Sequence, residues 1–339
     1  MANEPSLRVG LISRRPGRFN SIEKVFQSLL PSFSTSTEIN QHTLPFGSGF
    51  FGILFNLLFF RPGKADVFHI TGECHYLSLK LPSEKTVLTI HDLGFLERRR
   101  GLKGYLIRKL FLEWPMEKTR WVTAVSDATR EHIERELPLA AGKVRVIPNP
   151  VTIDSHLSIP KKADSPGRRK ILQVGTEPHK NLRNLIAALA GSDHELVILG
   201  RVGDDERALL ESSGIAFRNE AFLSDEELRD AYLDSDVLVF CSLFEGFGLP
   251  ILEAQRLGVP VVTSDIVVLR ETAGDGALFA DPRDPMDIRT KLESILGDRK
   301  LREELKERGL RNTERFLPEL IARRYEDLYC EVIGGEYGN

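Results

Sequence analysis

Cysteine is scarce in this 339-residue chain: there are three, Cys74, Cys241 and Cys330. An odd number without metal-ligand spacing excludes a disulfide framework and a cysteine-held metal site, and it fits a reducing cytoplasm. No apolar run approaches the roughly 20 residues that a bilayer-spanning helix needs. Residues Met1 to Gly10 lack the basic-then-apolar order of a secretory leader and run instead into a strand. There is no internal repeat and no metal motif. Basic residues come without a recognisable nucleic-acid module or interleaved stacking aromatics, so no nucleic-acid partner is expected. The net charge is only −3, yet it is unevenly spread. Residues 1–150 hold 21 Lys+Arg against 14 Asp+Glu, and the remainder hold 25 against 35. A basic first half suggests a polyanionic or membrane-surface partner for that half.

What is present suits two α/β domains rather than one core. The most informative stretch runs from Phe240 to Ser264. Asp236 to Cys241 is a continuous apolar run of the kind buried on both faces of a parallel sheet. It leads into Gly246, Phe247 and Gly248, where the backbone is free to take positive φ and another molecule can approach closely. Pro250 then opens a short helix, Leu249 to Leu257, whose unpaired N–H groups point back at the loop. A loop between a strand's carboxyl end and a helix's amino end is a phosphate-binding place. Glu245 and Glu253 bracket it; they either accept sugar or ribose hydroxyls or merely complement the helix dipole.

The run FEGFGLPILEA followed by GVPVVTSD resembles the E-x7-E signature of the family-4 retaining, nucleotide-sugar-dependent glycosyltransferases. The resemblance is dense from Gly175 to Asp281 and looser from Leu7 to Val151. It implies the GT-B fold, an α/β architecture of two Rossmann-like, doubly wound domains facing a central cleft. It also implies glycosyl transfer without a metal or other cofactor. The expected division is an acceptor-binding domain over 1–151, a linker over 152–168 and a nucleotide-sugar-binding domain over 169–316. A helix over 317–333 is expected to cross back to the first domain.

Further site residues follow from the same resemblance. GTEPHKNL offers Gly175 and a Lys180 ammonium for a diphosphate, with His179 where a second cation is common. Arg201, after the strand Glu195 to Leu199, is a candidate for that missing charge. Phe222 and Leu223 are candidates for the nucleobase pocket, and Glu245, Gly246, Phe247, Gly248, Leu249 and Glu253 for the rest of the donor site. In the first half the loop after strand Leu7 to Ile12 carries Gly17 where the family often has a glycine pair. Arg18 in that loop is an acceptor candidate, as are Glu73, His75 and Asp92 after two later strands. His91, in an HD segment, is expected beside the transferred sugar; with Lys180 and Glu245 it completes the catalytic set.

Two segments carry a membrane expectation. Phe50–Phe60 is the most apolar run, and reads either as a buried helix or as an interfacial segment facing a lipid-linked acceptor. Arg98 to Trp114 packs six basic residues among apolar ones, either a helix drawn to anionic lipid or a solvated basic face. The expected enzyme is cytoplasmic, peripheral at the inner face of the membrane, and acts on a saccharide or lipid-linked saccharide in cell-surface polysaccharide synthesis. GDP-mannose and UDP-sugars both remain open as donors. A glycosidase, a sugar-nucleotide epimerase and a non-catalytic nucleotide-sugar-binding protein are the rivals; the first also uses two carboxylates but needs no phosphate loop.

Overall fold

In a computed structural model, described for residues 7–15, 21–47, 49–97, 101–153 and 167–334, the chain divides into two compact units. One comprises Met1–Pro150 and Phe316–Asn339, the other Val151–Arg315.

The first unit is built on six parallel strands: β1 (Leu7–Ser13), β2 (Thr37–Thr43), β3 (Val67–Ile70), β4 (Thr86–Ile90), β5 (Trp121–Ala124) and β6 (Val144–Val146). Their order across the sheet is β2-β1-β3-β4-β5-β6. The strands β3 and β4 are buried at every position, as a sheet covered on both faces requires. Helices α1 (Ser21–Leu29), α2 (Phe50–Phe59), α3 (Gly94–Glu97), α4 (Gly101–Arg108), α5 (Trp114–Lys118) and α6 (Asp127–Glu136) flank it. Ser126 caps α6, accepting the Thr129 N–H at 3.0 Å. The C-terminal helix, Pro318–Val332, belongs to this unit and packs on α1. Its Tyr329 hydroxyl lies 2.7 Å from His69 Nδ1, and His69 Nε2 lies 2.7 Å from Thr89 Oγ1. Burial pushes the His69 pKa down to about 3, so the ring is neutral and serves as a polar pin between sheet and helix.

The two segments with a membrane expectation resolve differently. Phe50–Phe59 is a helix, but its outward face is apolar rather than covered: Phe50, Phe51, Leu54, Phe55, Leu58 and Phe59 are all exposed. The buried-helix alternative is therefore corrected. In the basic stretch, α4 continues through a π-helical turn, Lys109–Glu113, into α5. Arg108 is paired with Glu113 and Glu136 at 2.7 Å each, and Lys109 with Glu113. Carboxylates within one turn or one helix away thus neutralise two of the six cations; Arg98 to Arg100 lie outside the described residues.

The second unit has β7 (Lys170–Val174), β8 (Glu195–Leu199), β9 (Ala216–Glu220), β10 (Val237–Phe240), β11 (Val261–Ser264) and β12 (Leu278–Ala280). All are parallel, in the order β12-β11-β10-β7-β8-β9. Helices α7 (Leu182–Leu189), α8 (Asp204–Ser213), α9 (Asp225–Asp234), α10 (Leu249–Arg256), α11 (Val267–Ala273), α12 (Pro285–Gly297) and α13 (Arg299–Thr313) surround the sheet. The strand order reverses between β7 and β10. At such a switch point successive helices leave on opposite faces, opening a crevice at the carboxyl ends of the two strands.

Candidate active site

The residues that line this switch point come from the loops after β7 and β10. Strand β7 ends at Gly175, with φ +88°; a Cβ there would sit 3.0 Å from both Cγ and Cε of Lys180. Only glycine allows that turn and leaves the lysine stem its place. The loop proceeds through a short turn, Pro178–Lys180, to Asn181 in the left-handed region at φ +62°. The Asn181 amide donates to Cys241 O at 2.9 Å and Pro282 O at 2.6 Å, which anchors the β7 loop to the end of β10. Buried Gln173 donates to Gly175 O and Lys180 O, and the Leu243 N–H donates to His179 O. Held this way, Lys180 Nζ donates to Glu245 Oε1 at 2.6 Å and lies 4.7 Å from the Phe240 ring centroid. The two side chains are 16% and 12% exposed, shielded from water but not sealed.

Beyond Glu245 the chain passes Gly246 and Phe247 to Gly248, at φ +101°. That left-handed φ is why this position is glycine, and a Cβ here would also stand 2.7 Å from Leu269 Cδ2 of helix α11. Phe247 is buried, and Thr272 Oγ1 donates to its carbonyl at 2.6 Å. Helix α10 begins at Leu249 with Pro250 in its first turn and no side-chain cap. Pro250 has no N–H and the Ile251 N–H donates to Gly248 O at 3.0 Å, which leaves the Leu249 N–H at this end to face an anion. Glu253, one turn in, is buried; its Oε2 accepts from Tyr232 at 2.7 Å and its Oε1 from Thr152 at 2.8 Å. Burial, and then the adjacent Glu253 charge, hold the Tyr232 hydroxyl protonated well above its ordinary pKa. A carboxylate has about four acceptor sites, so two remain for further hydroxyls.

Next along the sheet, Gly200 at φ +136° follows β8, with Thr176 Oγ1 donating to Arg201 O at 2.6 Å. The Arg201 guanidinium lies 5.7 Å from the ring centroid of Phe222. Phe222 is 70% exposed and sits at φ +63°, a costly conformation for a non-glycine residue. Ser224 and Glu227 form a capping box that fixes the following helix α9. Leu223, between Phe222 and Ser224, is half-buried.

In the first unit the switch point falls between β1 and β3, and Arg14 spans it, pairing with Glu23 at 2.9 Å and Glu73 at 2.5 Å. His91 follows β4 and is buried; its Nε2 is 2.9 Å from Thr71 O, so that nitrogen carries the proton and Nδ1 is the acceptor. Burial lowers the His91 pKa, which keeps the ring neutral. Asp92 Oδ1 accepts the Gly94 N–H at 2.7 Å and opens α3. His75, expected at the acceptor, is buried, with Nδ1 2.7 Å from Phe111 O and its pKa pushed down to about 4 by that burial. It packs the π-helical turn instead. Gly17 and Arg18 lie outside the described residues.

Four neighbours of these candidates escaped the sequence reading: Glu23, Thr152, Asn181 and Tyr232. Asn181 had a local signal, since asparagine just before a helix tolerates the left-handed region. The others are brought in by tertiary packing. Among the described residues no group of three or more His, Cys, Asp or Glu side chains is arranged to hold a metal ion.

Residues 156–312 match the family described as glycosyl transferases group 1, and residues 9–155 match glycosyltransferase family 4. The chain is 30% identical over 279 residues to the O-antigen chain mannosyltransferase B of Escherichia coli, covering 76% of this chain and 72% of that protein. A serotype-specific mannosyltransferase, WbdA of Escherichia coli, is 29% identical over 276 residues, 72% of this chain; the match spans only 34% of WbdA. Among solved structures, sucrose-phosphate synthase from Thermosynechococcus elongatus superposes with a TM-score of 0.76 at 18% identity, over 97% of this chain and 100% of that one. That likeness carries the GT-B fold.

Proposed function

The chain belongs to the glycosyltransferases of group 1, and we propose that it is a retaining, metal-independent mannosyltransferase using GDP-mannose. The acceptor in this reading is a saccharide or lipid-linked saccharide of a cell-surface polysaccharide, met at the cytoplasmic face of an anionic membrane. Mannose is favoured over the sugars of UDP donors by the mannosyltransferases among its relatives. One observation carries the site: Lys180 and Glu245 meet at 2.6 Å across the β7/β10 switch point, beside the uncapped start of α10.

Chemistry follows from where charge develops. As the bond from the anomeric carbon to the phosphate oxygen breaks, negative charge grows on the departing diphosphate. Lys180 has three N–H donors and gives one to Glu245, leaving two for phosphate oxygens. The Leu249 N–H at the start of α10, with Arg201, adds to this stabilisation in place of a divalent cation. Glu245 holds a hydroxyl of the donor sugar and Glu253 the ribose hydroxyls, while Phe222 and Leu223 pack the base. His91 offers Nδ1 to a hydroxyl of the transferred sugar. Arg18, Glu73 and Asp92 meet the acceptor. The acceptor hydroxyl attacks from the face the diphosphate leaves, its proton passing to the leaving phosphate oxygen, so the anomeric configuration is kept.

The test is incubation with GDP-mannose and a lipid-linked saccharide acceptor in EDTA, with the product's anomeric configuration read by NMR. An α-linked mannoside formed at an unchanged rate supports the reading. Inverted product, or a rate abolished by EDTA and restored by a divalent cation, overturns it. Donor consumed to a different sugar nucleotide without acceptor would identify an epimerase.

A further inference from the structure

Helix α2 inverts the usual arrangement of a surface helix. Its one strongly polar side chain, Asn56, is fully buried: the amide donates to Phe46 O and Tyr76 Oη at 3.0 Å each and accepts the Phe46 N–H at 3.2 Å. Its outward side carries Phe50, Phe51, Leu54, Phe55, Leu58 and Phe59, with Phe50 76%, Phe51 69% and Phe59 65% exposed. With 150–250 Å² on each phenylalanine this is on the order of 600 Å² of contiguous apolar surface, as large as the largest patch on an ordinary soluble monomer. Helix α4 adds Leu102, Tyr105 and Leu106, exposed at i, i+3 and i+4. Both α2 and the turn after α4 pack on His75–Lys80, so the two stripes lie on elements of this unit that share one support.

The end of α2 is prepared for a medium poor in water. Lys80 Nζ donates to Leu57 O at 2.6 Å and Phe60 O at 2.7 Å, and Arg61 donates to Leu58 O at 2.8 Å and Phe60 O at 3.0 Å. Carbonyls that would otherwise need water are thus satisfied by the protein. Immediately past the helix, Lys64 lines an open depression of ≈ 720 Å³ with Arg8, Lys85 and Glu84 among its walls. Arg8 is held by Asp66 there, and Glu84 is paired with Arg120. Lys103 on α4 is exposed beside the apolar stripe. Ten residues rise only about 15 Å, half a bilayer core, and no described helix is long and apolar enough to cross a membrane. Apolar side chains outward, cations at the margin and a satisfied helix end fit the interfacial zone of an anionic bilayer.

We propose that the outer face of α2, extended by α4 and flanked by Lys64 and Lys103, is the surface by which this chain docks on an anionic phospholipid bilayer. It sharpens the membrane partner in the reading above, and depends on no assumption about the sugar. The test is sedimentation of the full chain with phosphatidylcholine vesicles containing phosphatidylglycerol, and with phosphatidylcholine alone. Wild type binds the anionic vesicles. A Phe50→Ser, Phe51→Ser, Phe59→Ser variant loses about a thousandfold in partitioning, because each phenylalanine is worth about tenfold or more. A Lys64→Gln, Lys103→Gln variant loses about 25-fold at low salt, about fivefold per charge. All substituted side chains are exposed, and each variant keeps the wild-type melting shift with GDP, which excludes unfolding and tests the donor reading separately. Absent binding by wild type, or equal binding by all variants, overturns the proposal. A dimer in light scattering that the serine variant abolishes, with no vesicle binding, overturns it in favour of self-association.

Discussion

Replacing Lys180 by alanine separates a structural ion pair from a catalytic cation. The ammonium is 2.6 Å from Glu245 and 4.7 Å from the Phe240 ring, in side chains only 16% and 12% exposed. A donor aimed at developing charge is worth about 2.7–4 kcal/mol, or 10²–10³ in kcat. Partial exposure to water places the expectation near the lower end, about a hundredfold loss. Stability falls by a smaller amount, about 1–2 kcal/mol, because Glu245 loses a charge-assisted partner but retains some contact with solvent. Adding Glu245→Gln to Lys180→Ala removes the stranded carboxylate and restores most of that stability. It does not restore the rate, since the departing diphosphate still lacks its cation. The assay is GDP release at saturating donor, alongside thermal melts of both single variants and the double. A Lys180→Ala enzyme within threefold of wild type, or a double variant with recovered turnover, refutes the catalytic role and leaves a structural ion pair.

Three other perturbations probe different layers. Phe222→Gly relieves a left-handed phenylalanine and removes an exposed ring; the melting midpoint holds or rises by a few degrees while GDP affinity drops at least fivefold, and a fall in both measurements contradicts the stacking role. Tyr232→Phe deletes a buried hydrogen bond to Glu253, lowering stability by about 1–2 kcal/mol and raising the Kd for GDP-mannose more than that for inorganic diphosphate; equal changes would place Glu253 away from the ribose. Acid weakens the fold in a defined window. His69 stays neutral in the native state down to about pH 3, while the unfolded imidazole protonates near 6.5 and binds the extra proton. Stability is therefore lost as pH falls below about 6.5, by about 2 kcal/mol from this residue at pH 5, and a His69→Gln variant shows a shallower loss between pH 6.5 and 5.

The elements legible in the sequence were those whose signal is local. Strand β10 is a bare apolar run, and the glycines and proline after it announce a turn and a helix start, which the structure places at Gly248 and Leu249. Of the edge strands, β6 was legible at Val144, but β2 and β9 were not. Strand β2 reads TEINQHT and β9 reads AFRNE, because each pairs on one side only and keeps much of its length in water. The stretch from Asp287 to Arg308 reads as one charged helix, yet it breaks at Asp298, whose carboxylate caps α13 at 2.8 Å from Lys300 N. For the candidate site, Lys180, Glu245 and Glu253 were legible because their neighbours in sequence form the motif. Glu23, Thr152 and Tyr232 were not, since only tertiary packing brings them to Arg14 and Glu253. His75 misled for the complementary reason: its position after a strand says nothing of Phe111, 36 residues on, which claims its ring.

The most direct measurement is the fate of radiolabelled mannose supplied as GDP-mannose to the purified chain, in EDTA, with lipid-linked saccharides as acceptor. Label recovered in the saccharide fraction, and lost from it in the Lys180→Ala enzyme, is the expected result. Label that remains on the nucleotide, or is released only as free mannose, would contradict the account.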